Sequence, residues 1–456
     1  MPGLGRYRGR KVGVLGLARS GLAAARALAA AGAVVLAYDD DGAKLEASGL
    51  TGGRPDDVAE LALLVPSPGV PLTHPAPHPV IAAAQAAGVP VVGDVQLFVD
   101  GLGPANRLIG VTGTNGKSTT SALIHHLLQH AGVRAVLGGN IGRAVFDLGV
   151  LPHETALVLE LSSYQLDLCQ DLRPDVAVWL NMAPDHLDRH GDMDGYLRAK
   201  RRLFDQQRPE GIAVVGTDDP LSRAVHAGLV AAGRDARAVA VTHPVEKGAF
   251  VRDGVLHEAA AGEAVPVLDL RPLPTLRGAH NHQNAAAAYA ALRALGLKGE
   301  SIVRGFATFP GLPHRMEEVA RIGGVRLVND SKATNPDAAM RSLGAFENVF
   351  WIAGGRAKPG GFCDLRPHLG AVRRAFLIGE AAPLIARDLG GLVPCVAAGT
   401  LEAALDAALD AASGLGEVTV LLAPACASFD QFRSFEHRGD AFRALARAAA
   451  GRAQGA

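Results

Sequence analysis

A lysine and a hydroxyl residue follow a glycine-rich turn in Thr112-Gly-Thr-Asn-Gly-Lys-Ser-Thr119. The turn lies between the apolar Leu108 and Ile109 and the helical run Ser121-Ala-Leu-Ile-His-His-Leu-Leu128. A turn of this kind between strand and helix points backbone N–H groups at a phosphate chain, and the helix start adds its positive dipole end. Lys117 suits the outer phosphates, and the Ser118 hydroxyl suits a magnesium ion. The strict phosphate-loop pattern has glycine where Val111 stands, so this is a variant loop. The chemistry it points to is binding of a nucleoside triphosphate.

Other polar residues stand at strand ends. Glu160 closes the apolar run Thr155-Ala-Leu-Val-Leu-Glu160 and could share magnesium with Ser118; the plain alternative is an ordinary strand-end acid. Residues 181–190, Asn-Met-Ala-Pro-Asp-His-Leu-Asp-Arg-His, form a dense polar loop in which His186 is a candidate metal or phosphate contact. His186 and His190 have helical spacing but lack the His-Glu-x-x-His pattern, which argues against zinc. His125, His126 and His130 read as helix surface and packing. Residues 195–204 predict an amphipathic helix with Leu197 and Phe204 inward. On residue types alone, Lys200 is one of several cations on its solvated face.

These groups need a scaffold. A chain of 456 residues exceeds one compact core and predicts several domains. Balanced charge, 45 basic against 45 acidic residues, gives no sign of a nucleic-acid partner. No apolar run has membrane-spanning length, and the first residues lack a signal peptide's apolar region. The four cysteines, Cys169, Cys363, Cys395 and Cys426, are far apart, as expected for a reducing cytosol.

The first block reads as strand, glycine turn, helix and strand from Lys11 to Asp39, a Rossmann-like outline. Its glycines, Gly16 and Gly21 with Ala18 between, fit the NAD fingerprint poorly. A further strand at 61–65 runs into Pro66-Ser-Pro-Gly, and residues 101–106 read as a linker. The second block holds the phosphate loop and buried parallel strands at 155–160, 176–181 and 211–215. A small mixed or antiparallel patch is expected within 235–275. A third series has strands at 325–329, 348–353, 374–379 and 418–423. The fold class is α/β: three tandem domains with mostly parallel sheets, Rossmann-like at 1–98, a phosphate-loop ATPase domain at 99–310, and Rossmann-like again at 311–456.

Seven motifs in series then resemble one family. They are the phosphate loop, Glu160-Leu-Ser-Ser163, residues 181–190, Lys200, His280-Asn-His-Gln-Asn284, Pro313-His-Arg-Met-Glu317 and Asp330-Ser-Lys-Ala-Thr-Asn335 with Pro424-Ala-Cys-Ala-Ser428 beyond it. Together they resemble the Mur ligases of cytoplasmic peptidoglycan synthesis, and within that family the branch that adds D-glutamate to UDP-N-acetylmuramoyl-L-alanine. The resemblance implies an ATP-dependent amide ligase, a monomer, working through an acyl phosphate without membrane insertion.

It also implies roles. Gly113, Thr114, Asn115, Gly116, Lys117, Ser118 and Thr119 would cradle ATP, Asn281 and Asn284 would meet adenine, and Arg315 and Asp330 would complete the nucleotide site. Ser118 and Glu160 match the surroundings of one Mg2+, and His186 and a carbamylated Lys200 those of a second. Arg19, Ser20, Asp39, Ser67, Asn140, Ser162, Gln165 and His186 match contacts of the UDP substrate. Asp40 stands where the family usually has a hydroxyl residue near the uracil. Lys332, Thr334, Lys358, Ser428 and Phe435 match a D-glutamate pocket. Rival readings are a sister ligase adding another amino acid, an NTP-gated binding protein without turnover, and an NAD oxidoreductase. The Asp-Asn-Pro-Arg motif of the diaminopimelate-adding branch is absent. Folate polyglutamate ligases lack the first block.

Overall fold

Runs of Val, Leu and Ala become strands covered on both faces, which is why they read as continuous rather than alternating. Ala156–Glu160, Val176–Trp179 and Val349–Gly354 are buried at every position. The computed structural model describes residues 3–358 and 360–454. It is an α/β protein with three sheets.

The first sheet is parallel, in the order Thr51–Gly52, Val34–Tyr38, Lys11–Leu15, Leu63–Pro66. The helix Arg19–Ala30 follows the first strand at very close range. A Cβ at Gly21 would stand 1.9 Å from the Gly16 carbonyl oxygen, so only glycine permits this approach.

The central sheet runs Glu263–Asp269, Val255–Ala260, Gly248–Arg252, Ala236–Ala240, Ile212–Gly216, Val176–Trp179, Arg107–Thr112, Ala156–Glu160, Ala135–Gly139. The patch expected within 235–275 is mixed. It extends the central sheet by a parallel pairing and then two antiparallel ones.

The third sheet runs Glu317–Ile322, Val325–Asn329, Val418–Leu422, Val349–Gly354, Val372–Ile378, Cys395–Gly399. Both edge strands escape the sequence reading. Glu317–Ile322 pairs antiparallel with half-exposed, charged positions, and Cys395–Gly399 alternates between exposed and half-buried positions. Edge strands bury little, so their apolar signal is weak.

The chain divides into two compact units, Met1–Leu270 with His282–Phe309, and Arg271–Asn281 with Pro310–Ala456. Within the first unit, residues 101–106 are irregular as expected of a linker, yet the cores on either side are continuous. One apolar cluster runs from Val14 and Leu28 through Phe98 and Phe146 to Trp179 and Phe204. Among the described residues, no helix is long and apolar enough to cross a membrane.

Candidate active site

The strand Arg107–Thr112 hands the chain to the helix Lys117–His130 through the phosphate loop. Gly113 and Gly116 both have positive φ, at 149° and 85°. Asn181, at the end of the neighbouring strand, clamps the loop from the side. Its Oδ1 accepts from Asn115 N at 2.9 Å, and its Nδ2 donates to Asn115 O at 3.2 Å. Thr114 Oγ1 accepts from Ala183 N at 3.1 Å. Beneath the loop, the Thr120 hydroxyl donates to Asn284 Oδ1 at 3.1 Å. A Cβ on Gly116 would come within 2.3 Å of that same Asn284 oxygen. Gly116→Ala is therefore expected to destabilise the protein by about 1–3 kcal/mol through backbone strain, and to weaken nucleotide binding. Thermal unfolding and nucleotide titration check this, and an unchanged midpoint would contradict the strained geometry.

Two lysines converge on the loop mouth. Lys117 Nζ donates to Gly113 O at 2.9 Å and Thr114 O at 2.7 Å. Lys200 Nζ donates to the same Gly113 oxygen at 2.8 Å. The solvated face expected for Lys200 is corrected here: the residue is 1% exposed. Its helix, Met193–Asp205, buries Tyr196, Ala199, Lys200, Leu203 and Phe204, a single stripe at helical spacing. Burial, and next the Lys117 charge, push the Lys200 pKa well down and favour the neutral amine.

Glu160 ends the adjacent strand and is 2% exposed. Its Oε1 accepts from Asn140 Nδ2 at 2.9 Å, while the buried Oε2 has no hydrogen-bond partner. A buried, half-satisfied carboxylate near a phosphate loop is suited to a divalent cation, because a charged oxygen left unpaired is costly. Ser118, buried in the first turn of the loop helix, is the matching hydroxyl. Among the described residues, no group of three or more His, Cys, Asp or Glu side chains is placed to hold a metal.

His186 sits in left-handed backbone with φ 53°, just before the short helix Leu187–His190. Its Nδ1 is 3.0 Å from the Tyr164 hydroxyl, and burial lowers its pKa. His190 turns elsewhere, to Ser163 Oγ at 2.9 Å. Burial first, then Arg189, push it down to about 4, so it is a neutral imidazole at pH 7. The two histidines thus have separate partners. Ser162 and Gln165 cap the helix Ser163–Asp167: Ser162 Oγ accepts from Gln165 N at 3.2 Å, and Gln165 Oε1 accepts from Ser162 N at 3.0 Å.

The carboxyl end of the first sheet gathers Asp39, Ser67, Arg19 and Ser20 around one glycine turn. Asp39 accepts from Leu17 N at 2.6 Å and Asp41 N at 2.9 Å. Burial pulls its pKa upward, but these backbone donors hold it below the usual value. Ser67 Oγ donates to Gly16 O at 2.7 Å. Arg19 is exposed and opens the helix that leaves the turn. Asp40 is exposed, 3.2 Å from His78.

In the second unit, Asp330 follows the strand Val325–Asn329 and is 5% exposed. It accepts from Ser342 Oγ and, at 3.2 Å, from Met316 N; burial raises its pKa. Arg315 keeps a buried Nε without a hydrogen-bond partner. Asn281 Nδ2 donates to Arg277 O at 2.9 Å. Lys332 Nζ lies 5.3 Å from the centre of the Phe435 ring. Ser428 is 1% exposed, and its Oγ has no hydrogen-bond partner. Thr334 is half-buried and Lys358 exposed.

Sequence reasoning missed two residues here. His314, in left-handed backbone, is 3.1 Å from Asn329 Nδ2, and Arg438 is buried at 1% exposure. Arg438 lies three residues after Phe435, which was the available signal.

A mostly parallel sheet with two lysines on its variant phosphate loop and a buried carboxylate at the end of the next strand defines a nucleotide-dependent α/β enzyme. Residues 111–292 match the Mur ligase middle domain, and residues 314–426 match the Mur ligase glutamate ligase domain. The chain is 48% identical to the UDP-N-acetylmuramoylalanine–D-glutamate ligase of Phenylobacterium zucineum, covering 96% of each chain. It is 50% identical to that of Cereibacter sphaeroides strain ATCC 17029, covering 95% of this chain and 97% of the relative. Among solved structures, it resembles the UDP-N-acetylmuramate-alanine ligase of Thermotoga maritima. That match has a TM-score of 0.58 at 17% identity, covering 96% of this chain and 99% of the other. A Thermotoga maritima MurF ligase, solved with ADP, has a TM-score of 0.58 at 19% identity over 82% of this chain and 91% of the other. The chain belongs to the Mur ligase family.

Proposed function

We propose that this chain is an ATP-dependent ligase that joins D-glutamate to UDP-N-acetylmuramoyl-L-alanine during cytoplasmic peptidoglycan precursor synthesis. The observation that carries the chemistry is the meeting of Lys117 and Lys200 on Gly113 O, with the half-satisfied Glu160 on the neighbouring strand opposite Val111. The reaction must bring a substrate carboxylate to a triphosphate, and two anions meet only where cations offset their repulsion. A carboxylate oxygen attacks the γ-phosphorus, and the bond to the β-phosphate oxygen breaks to release ADP. The D-glutamate amine, once deprotonated, then attacks the acyl carbon, and phosphate leaves from the tetrahedral intermediate.

In this reading residues 113–119 bind ATP, with Lys117 on the outer phosphates. Magnesium, when bound, screens the phosphate charge. Ser118 and Glu160 would hold one ion, and His186 with Lys200 a second. Lys200 would serve there as a carbamate: its neutral amine attacks carbon dioxide and gives up one proton to solvent. Arg19, Ser20, Asp39 and Ser67 would take the UDP group, with Asn140, Ser162 and Gln165 toward the rest of that substrate. Asn281, Asn284, Arg315 and Asp330 would serve the nucleotide. Lys332, Thr334, Lys358, Ser428 and Phe435 would receive the dicarboxylic amino acid. Functional domains then fall at 1–98, 99–310 and 311–456, and the protein works as a monomer.

Phosphate release with UDP-N-acetylmuramoyl-L-alanine, ATP and each candidate amino acid in turn tests this. Release should depend on D-glutamate and be absent with L-glutamate or diaminopimelate. Release with another amino acid would make the chain a sister ligase. Nucleotide binding without any amino-acid-dependent release would make it a binding protein.

A further inference from the structure

Arg438 is a fully engaged cation in the interior of the second unit. Its Nε donates to Ser331 Oγ at 2.9 Å, and its Nη2 donates to Ser331 O at 2.9 Å and Cys426 O at 3.1 Å. Its Nη1 reaches Gly354 O at 3.4 Å and Ala427 O at 3.5 Å. A guanidinium has five N–H groups, and all five acceptors here are carbonyl or hydroxyl oxygens, none a carboxylate. A core built only for stability rarely accepts that arrangement, since an unpaired buried charge is expensive.

The acceptors have a common origin. Ser331 lies just beyond the strand Val325–Asn329, Cys426 and Ala427 beyond Val418–Leu422, and Gly354 ends Val349–Gly354. These three strands are neighbours in the sheet. One side chain therefore fastens three consecutive loops at the carboxyl end of a parallel sheet, where α/β proteins bind ligands. Each loop carries a residue assigned above to the amino acid. Lys332 follows Ser331, Ser428 follows Ala427, and Lys358 lies beyond Arg356, which exchanges two backbone hydrogen bonds with Ala427 at 2.9 and 3.0 Å. The fit is tight on the loop side as well. A Cβ on Gly355 would stand 2.2 Å from Ala427 O and 3.2 Å from Arg438 Nη1.

We propose that Arg438 is the positioning residue of the amino-acid pocket, fixing the spacing of the Lys332, Lys358 and Ser428 donors that the two carboxylates of the incoming amino acid require. This rests on the D-glutamate reading above. Arg438 itself does not touch the substrate. It sets a distance between donors, and a misplacement of about 1 Å is enough to cost a large factor in rate.

The test is steady-state kinetics of Arg438→Ala and Arg438→Lys with all three substrates. Arg438→Ala should raise the KM for D-glutamate by about tenfold or more, with the KM values for ATP and the UDP substrate within twofold of the parent. Added guanidinium ion should restore part of the loss. Arg438→Lys keeps the charge and most of the packing, so it covers the case in which the alanine variant does not fold. It should show the same selective rise, because an ammonium cannot span three loops. An unchanged D-glutamate KM in Arg438→Lys, or an equal rise for all three substrates, overturns the proposal. The parent enzyme is the separate control: absence of D-glutamate-dependent phosphate release there refutes the functional reading rather than the role of Arg438.

Discussion

Replacing Lys117 by alanine is expected to lower the rate of phosphate release by about 10³-fold, the scale seen when a preorganised donor to developing charge is removed. The unfolding midpoint should stay near that of the parent. Lys117 is half-buried at the loop mouth and its ammonium donates to two loop carbonyls, so the side chain is no part of the apolar core. A phosphate oxygen is a stronger acceptor than a peptide carbonyl, so the side chain transfers readily to an incoming γ-phosphate. ATP binding should weaken alongside turnover. A variant retaining a tenth or more of the parent rate would remove Lys117 from the reaction.

The second large effect is expected at Lys200. Lys200→Ala should lose about 10²–10³-fold in activity, and acetate or formate should return part of it by supplying the missing carboxylate. The physical ground is the shared acceptor. Lys117 and Lys200 both donate to Gly113 O, so two full ammonium charges would crowd one oxygen. Burial resolves the conflict by favouring the neutral form of Lys200, which is the form that can take up carbon dioxide. Rescue by small amines in place of acids would assign plain lysine chemistry to the position. Full activity without rescue would leave Lys200 as a packing residue.

Much of this was legible in the chain, and the exceptions have physical causes. The phosphate loop is legible because its glycines and lysine are adjacent in sequence and do their work locally. Lys200 was read as solvated because a charge run usually is, yet it stands four residues before the inward Phe204, on the same helical stripe. Residue type outweighed periodicity there, and periodicity was right. The strand Glu317–Ile322 was invisible because its charged positions pair with one another and with neighbouring strands. Arg321 and Arg326 both reach Glu318. For Arg438 the sequence offers only its place three residues after Phe435, since its partners are carbonyl and hydroxyl oxygens contributed by three distant loops.

The contact between Thr120 and Asn284 spans 164 residues. The floor of the nucleotide loop is thus laid by a helix made long after the loop itself. During synthesis, the loop residues leave the ribosome well before Asn284, and throughout that interval Gly116 lacks the oxygen that packs against it. A fragment ending ahead of the helix Ala279–Ala294 carries every residue of the phosphate motif but not its support. On the proposed assignment, nucleotide capture would wait for the helix Ala279–Ala294 to be in place, and ATP would act as a late stabiliser of the folded chain rather than an early template for it.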